Sequence, residues 1–432
     1  MNYEHKIGLK QLNKNGLKVI DLFCGGGLGA VGIKTAGFDI IYAIDINKYA
    51  VETYNKNIGN HCVKEDIRNL SINDIPDCDI VMASPVCKSF SFAGNGKGFE
   101  DDKYGDLPHQ FVRIVEGKKP KAFVFENVKG ILSKSSKEEF LNLIKYLENL
   151  NYNISYKIIN CYLYGVPQLR ERVIMVGIRK DIGVYNFPLE IDESKRLNIF
   201  DAIADLPAPY MVMNSKKDIQ FISNDKEIIS NHIGYGLRND EKPLIDKIPS
   251  GGNWRDLSDE EAKAFLGSAY YNGGGKTGYL RKVKVENPSY TITSSMIGKN
   301  NAQIIDDKEL LIYEHKIKNQ EIYYEAGYSS MYLSRNRQKQ WNEPSYTIVS
   351  EARQLPLYPE PNNFDIRKLN EYNIAPPRRF TVRECLRLQS VPDWFIIDET
   401  ISLTKQYEIV GNGIPSLITY KIFKELEKVL KK

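Results

Sequence analysis

The chain has 432 residues, 42% of them hydrophobic and 26% charged, with a formal net charge of +4. That length predicts two or three domains with ample core, and no run approaches the apolar stretch of roughly 18 residues that a membrane span needs. The polar start, MNYEHKIGLKQLNKNG, has no apolar leader core, so a cytoplasmic protein is expected, and the mild basicity permits a polyanionic partner without demanding one.

From residue 17 to 180 apolar runs alternate with helical patterns. LKVIDLF (17–23) reads as a strand, followed by a glycine turn and a helix to Ala36. DIIYAID (39–45) is the next strand, KYAVETYNKN (48–57) a helix and CDIVMA (78–83) a strand. LPHQFVRIVEG (107–117) is helical, KAFVFENV (121–128) a strand and KEEFLNLIKYLENL (137–150) an amphipathic helix. ISYKIINCYLYG (154–165) and RVIMVGIRK (172–180) are further strands. Such alternation predicts a doubly wound α/β sheet with its ligands at the C-terminal strand ends.

Between 196 and 375 tyrosine, asparagine, serine and glycine dominate, and a separate, smaller, mostly β and irregular domain is expected there. It holds an internal echo, Pro-Ser-Tyr-Thr-Ile at 288–292 and again at 344–348. Helical patterns return at 381–389 and 416–431. The expected organisation is therefore one α/β domain (1–195) interrupted by an insertion (196–375) and completed by C-terminal helices (376–432).

The first strand runs into VIDLFCGGGLGAVGIKTAG (19–37), in which Gly27, Gly29 and Gly32 match GxGxxG. Alone, that pattern leaves a dinucleotide and S-adenosylmethionine both open. An acid at the second strand end, Asp45, suits the ribose of either. Asp21, directly before the glycines, sits badly beside a pyrophosphate but accepts well from a cationic amino-acid head group. Phe23 fits an adenine face or the core, and Asp66-Ile67 fits an adenine edge or a helix N-cap.

Six cysteines (24, 62, 78, 87, 161 and 385) and five histidines are scattered, with no CxxC and no ligand spacing, so neither a disulfide framework nor a metal is expected. Cys87 stands apart, in ASPVCKSFS (83–91), just past a strand end. A thiolate nucleophile needs exposure and nearby positive charge. The next strand ends in an acid, Glu126, which is costly at a core edge unless paired or functional. In QLRER (168–172) alternation aims Arg170 and Arg172 the same way, towards one polar ligand or as a solvated charge pair bridged by Glu171.

In order along the chain, DLFCGGGLG, ASPVCKSFS, ENVKG, QLRERV, RRFTVRECLRLQSVPDWF (378–395) and QYEIVGNGIPSLI (406–418) resemble the motifs of DNA cytosine-5 methyltransferases of the bacterial restriction–modification type. Each motif is weakly specific and the ordered set strongly so. The resemblance implies S-adenosylmethionine held by Asp21, Phe23, Gly25, Gly27, Gly29, Asp45, Ile46, Asp66, Ile67, Ser84, Leu107 and Asn412. It implies that Cys87 thiolate adds to C6 of a flipped-out cytosine, with Glu126 at N3 and the exocyclic amine and Arg170 and Arg172 at the O2 edge. Lys88, Ser91 and Asn127 are expected at the substrate, and residues 88–106 suit a lid.

The insertion then reads sequence in double-stranded DNA, with Arg281, Arg335, Arg337 and Arg353 as candidate readers. The segment 332–359 resembles that of GGCC-methylating enzymes. The chain departs from the family's Pro-Pro-Cys-Gln at Val86 and Lys88 and carries Gly413 after Gly-Asn. A monomer is expected, with a cognate restriction endonuclease acting separately. One branch of the family acts on tRNA, but the large insertion favours duplex DNA. A nicotinamide-linked oxidoreductase leaves Pro-Val-Cys, Glu-Asn-Val and Gln-Leu-Arg-Glu-Arg without an account.

Overall fold

Strand β1, Lys18–Leu22, is buried at its last four positions. A strand covered on both faces by helices shows this continuous burial rather than alternation. In the computed structural model, which describes residues 3–85, 105–206, 209–212, 219–221, 229–271, 278–293, 303–313 and 378–432, six further strands join it. They are β2 (Asp39–Asp45), β3 (Cys62–Lys64), β4 (Ile80–Ala83), β5 (Ala122–Val128), β6 (Tyr152–Asn160) and β7 (Glu171–Arg179). The sheet order is β3-β2-β1-β4-β5-β7-β6. All neighbouring pairs from β3 to β5 are parallel, whereas β7 runs antiparallel to both β5 and β6. The order reverses between β1 and β4, and their C-terminal ends frame the crevice in which doubly wound folds bind ligands.

The helices are α1 (Leu28–Thr35), α2 (Lys48–Asn57), α3 (Leu107–Lys118), α4 (Lys137–Asn149), α5 (Val382–Leu388), α6 (Leu403–Asn412) and α7 (Ser416–Leu430). The third glycine of GxGxxG serves helix packing. A Cβ on Gly32 would lie 2.0 Å from the Ser416 carbonyl oxygen, so only glycine lets α1 and α7 come this close. Ser416 Oγ and Thr419 Oγ1 each donate to an α1 carbonyl, Leu28 and Gly29, at 2.8 Å. The last helix thus sits on the first one.

Buried ion pairs join the insertion to α5. Arg378 is held between Asp307 at 3.0 Å and Glu384 at 2.8 Å, and Arg379 meets Glu241 at 2.8 Å. Breaking a buried pair costs about 3–5 kcal/mol because a charge is left uncompensated. The described part of the insertion mixes two- and three-residue strands with helical Asp259–Leu266, whose start is fixed by a Ser258–Glu261 capping box. Among the described residues no helix is long and apolar enough to cross a membrane.

Candidate active site

The residues at the ends of β1 and β4 surround a small cavity. Asp21, Phe23, Cys24, Gly25, Gly29, Met82 and Ser84 line it from below, and Asn412, Gly413 and Ile414 close it from the α6–α7 junction. Phe23 is held at φ 56°, a left-handed conformation that a bulky residue adopts only under constraint. Its carbonyl accepts from Ser84 Oγ at 3.1 Å, which ties the two strand ends together. Gly27 is not part of the wall. It caps α1 at φ 91°, and a Cβ there would lie 2.9 Å from Ile58 and 3.0 Å from Tyr54.

Two carboxylates face this cavity's edge. Asp45 accepts from the backbone N–H groups of Gly25 at 2.9 Å and Asn47 at 2.8 Å. Asp21 is 3% exposed. Burial, with Asp45 as a second and like charge, pushes its carboxyl up to about 8. No cation acts on it among the described residues. A buried acid in this condition fits a ligand that brings its own positive charge. The pocket therefore fits an adenosyl sulfonium compound better than a pyrophosphate.

Ile46, the next residue after Asp45, is 64% exposed although apolar, which leaves a flat hydrophobic surface beside the site. Asp66 does cap a 3-10 turn, accepting from Arg68 N at 3.0 Å, and Ile67 is buried within that turn. Arg68 also forks onto Asp106 at 3.0 and 3.1 Å, so it joins Asp66 to the start of α3, where Leu107 lies. The arginine and Asp106 carried no sequence signal, because their meeting across 38 positions is a tertiary event. Cys24, Gly413 and Ile414 were likewise missed as pocket walls.

At the end of β5, Glu126 is 7% exposed and meets Arg172 of β7, Nε to Oε1 at 2.9 Å. The antiparallel register pairs Val128 with Arg172, and the guanidinium reaches back to the carboxylate two positions earlier. Cys87, Lys88 and Ser91 lie outside the described residues. The strand that leads to them is firmly placed, since Ala83 pairs with Phe125, and Asn127 Nδ2 donates to the Pro85 carbonyl at 3.3 Å. Asn127 is 1% exposed. It is thus turned into the fold, where it holds the Ser84-Pro85 segment. Cys161 lies near Glu126 and the arginines but is fully buried, and burial pushes its thiol to about 11. That excludes it as a rival nucleophile at neutral pH.

Arg170 does not join Arg172, contrary to the expectation from alternation. The strand is broken there. Gln168–Leu169 pairs with Ser289–Tyr290 of the insertion, and β7 starts only at Glu171. Arg170 is 2% exposed and donates to the carbonyls of Ile292 at 3.0 Å, Gly413 at 2.8 Å and Gly411 at 3.5 Å. Gln168 binds the Ile292 N–H and the Leu388 carbonyl, both at 3.1 Å. The first half of QLRER is a clamp between insertion, sheet and C-terminal helices; among the described residues Arg172 is the arginine paired with the acid. Arg170→Ala is expected to lower stability by about 3 kcal/mol or more, because three buried carbonyls lose their donor. A urea titration checks this; unchanged stability with lost activity would return Arg170 to the substrate.

The first Pro-Ser-Tyr-Thr-Ile unit belongs to the same clamp. Ser289 Oγ donates to Pro167 and Thr291 Oγ1 to Leu169, at 3.2 and 2.7 Å. Arg281 stacks on Tyr290, 4.0 Å from the ring centroid, and burial lowers its pKa. Lys282 is paired with Asp306 at 3.1 Å. Arg281 is therefore held against the insertion's own packing. Arg335, Arg337 and Arg353, the second unit and residues 88–104 of the expected 88–106 lid lie outside the described residues. A cleft of about 440 Å³ beside Lys6, Tyr420 and Lys421 holds none of the expected site residues. Among the described residues no group of three His, Cys, Asp or Glu side chains is placed to hold a metal ion.

Known proteins point the same way. The family model for C-5 cytosine-specific DNA methylase matches residues 17–265 and 276–428. Type II methyltransferase M.FnuDI of Fusobacterium nucleatum is 30% identical over 422 residues, covering 96% of this chain and 95% of that protein. Type II methyltransferase M.MthTI of Methanothermobacter thermautotrophicus is 28% identical, covering 96% and 98%. The structure of Entamoeba histolytica methyltransferase EhMeth superposes with a TM-score of 0.57 at 17% identity, covering 98% of this chain and all of that one, and so shares the fold. With ordered motifs, fold and family model agreeing over nearly its whole length, the chain belongs to the C-5 cytosine-specific DNA methylases.

Proposed function

We propose that this DNA cytosine-5 methyltransferase works through Cys87, Glu126 and Arg172, with S-adenosylmethionine in the cavity between β1, β4 and the α6–α7 junction. The observation that carries the reading is the buried Glu126–Arg172 pair, one strand away from a pocket whose buried Asp21 meets no cation among the described residues. S-adenosylmethionine supplies the methyl group. Asp21 takes the positive amino-acid end, Asp45 the ribose, and Ile46, Asp66, Ile67 and Leu107 the adenine. Cys87 thiolate adds to C6 of the flipped cytosine, making C5 nucleophilic. Glu126 holds N3 and the exocyclic amine as charge develops there. Arg172 fixes the carboxylate through Nε, donates from Nη1 to the Glu171 carbonyl at 2.8 Å, and turns its other donors to O2. Arg170 and Asn127 position this group without touching it.

The relatives named as Type II methyltransferases support a role as the modification half of a restriction–modification system, with the endonuclease a separate protein. Segment 332–359 supports a GGCC target read by Arg335, Arg337 and Arg353. The protein acts as a monomer in the cytoplasm. Incubation with labelled S-adenosylmethionine and either duplex DNA or tRNA, followed by bisulfite sequencing, tests this reading. Label in DNA at cytosines of GGCC supports it; label at another site removes the GGCC assignment, and label in tRNA alone removes the DNA substrate.

A further inference from the structure

Two thiols that this mechanism leaves unused meet at the wall of the cofactor pocket. Cys24 Sγ and Cys62 Sγ are 3.3 Å apart. Cys24 follows β1 directly and lines the pocket with Phe23 and Gly25. Cys62 opens β3, two strands away, paired with Ala43 of β2. Both are free thiols.

We propose that this pair is a redox modification site, oxidised by peroxide to a Cys24–Cys62 disulfide that closes the cofactor pocket. The reaction balances within itself. Cys62 thiolate attacks a peroxide oxygen, the O–O bond breaks, and hydroxide leaves and is protonated to water, while Cys24, whose thiol burial pushes well up, is the resolving sulfur. The resulting sulfenic acid is attacked by the second sulfur, the S–S bond forms, and a second water departs. Two thiol hydrogens and one peroxide yield one disulfide and two waters.

The geometry decides which side moves. A disulfide needs its sulfurs at about 2.05 Å, so the present contact must shorten by more than an ångström. Cys62 is anchored, for Asn55 both accepts from its N–H at 2.9 Å and donates to its carbonyl at 3.0 Å. Cys24 lies between Phe23 at φ 56° and Gly25 at φ 57°, at the start of a glycine run. Cys24 N–H donates to the Ile44 carbonyl at 3.1 Å, so the shift is taken up by the glycine run that follows it. Its shift displaces Gly25, whose N–H donates to Asp45, and Phe23, whose carbonyl receives Ser84. Three walls of the pocket move with one bond. Linkage is reciprocal, so bound cofactor disfavours the cross-link at equilibrium by the factor by which the cross-link weakens the cofactor.

The inference rests on the assignment of this pocket to S-adenosylmethionine. The full-length Cys87→Ala protein is used, so that the catalytic thiol cannot contribute, and binding is read by calorimetry rather than by turnover. Reduced protein must first bind S-adenosylmethionine; failure there overturns the pocket's assignment, not the thiol chemistry. After hydrogen peroxide, peptide mapping is expected to show a Cys24–Cys62 peptide, and affinity to fall by about tenfold or more, with recovery on dithiothreitol. Cys62→Ser and Cys62→Ala in the same background are expected to keep their affinity under peroxide. Oxidation of Cys24 without a cross-link, a cross-link with unchanged affinity, or the same loss in both Cys62 variants overturns the proposal.

Discussion

Glu126→Gln is expected to lower methyl transfer by about 10²–10⁴-fold, the range over which a positioned acid–base or electrostatic group acts. The amide keeps the shape of the carboxylate and loses its charge. In the structure that charge is the partner of Arg172 at 2.9 Å, in a niche where both side chains are almost buried. The variant therefore loses stabilisation of the base as the thiolate adds and leaves the guanidinium uncompensated. S-adenosylmethionine affinity is expected to change by less than about tenfold, or 1.4 kcal/mol, because Glu126 is not among the residues lining the cofactor cavity. Single-turnover kinetics with calorimetry separate the two effects. Equal losses in rate and cofactor affinity would mean that Glu126 acts on the pocket instead.

Asp21→Asn is expected to make the ligand-free protein more stable and to weaken its cofactor binding. Burial pushes the Asp21 carboxyl to about 8 in the folded protein, whereas an unfolded aspartate ionises near 3.9. Between those values the folded chain holds a proton that the unfolded chain has released. Stability from this residue is thus full below about pH 4, declines through the interval, and is flat above about pH 8. Asparagine removes the decline, a gain of about 2–5 kcal/mol at pH 8. Binding of a cationic head group ionises Asp21 and expels its proton, so the wild type is expected to release protons on binding at pH 7 and the variant not to. Affinity of the variant falls by about 10–100-fold, since a charged hydrogen bond is lost. Thermal melts across pH, and calorimetry in buffers of different ionisation heat, check both halves. A variant that is less stable at pH 8, or that binds as tightly, would contradict the assignment.

The sheet was legible because its signals are local. DIIYAID and KYAVETYNKN coincide with β2 and α2 residue for residue. The boundary between them is written in Asn47, whose side chain accepts from Tyr49 and Ala50 N–H. Strand β3, with only Cys62 buried of its three residues, has no period to read. Helix α6 ends within the QYEIVGNGIPSLI motif, where Gly411 and Gly413 weaken any helical period. The arginines of QLRER show the limit best. Alternation holds only along one unbroken strand, and here the strand changes partners between Leu169 and Glu171. What breaks it is the docking of Ser289–Tyr290 from about 120 positions away, which no local pattern carries. The same docking explains why the first Pro-Ser-Tyr-Thr-Ile unit, legible in the sequence only as an internal echo, serves as a joint.

Covalent trapping on duplex DNA whose target cytosines are replaced by 5-fluorocytosine tests the central claim most directly. Fluorine at C5 cannot be removed as a proton, so the thiol adduct persists after methyl transfer. The wild-type protein with S-adenosylmethionine is expected to give a complex that survives denaturing electrophoresis, linked through Cys87, and Cys87→Ala is expected to give none. An adduct of equal yield from Cys87→Ala, or methylation of DNA without any adduct, would contradict the account.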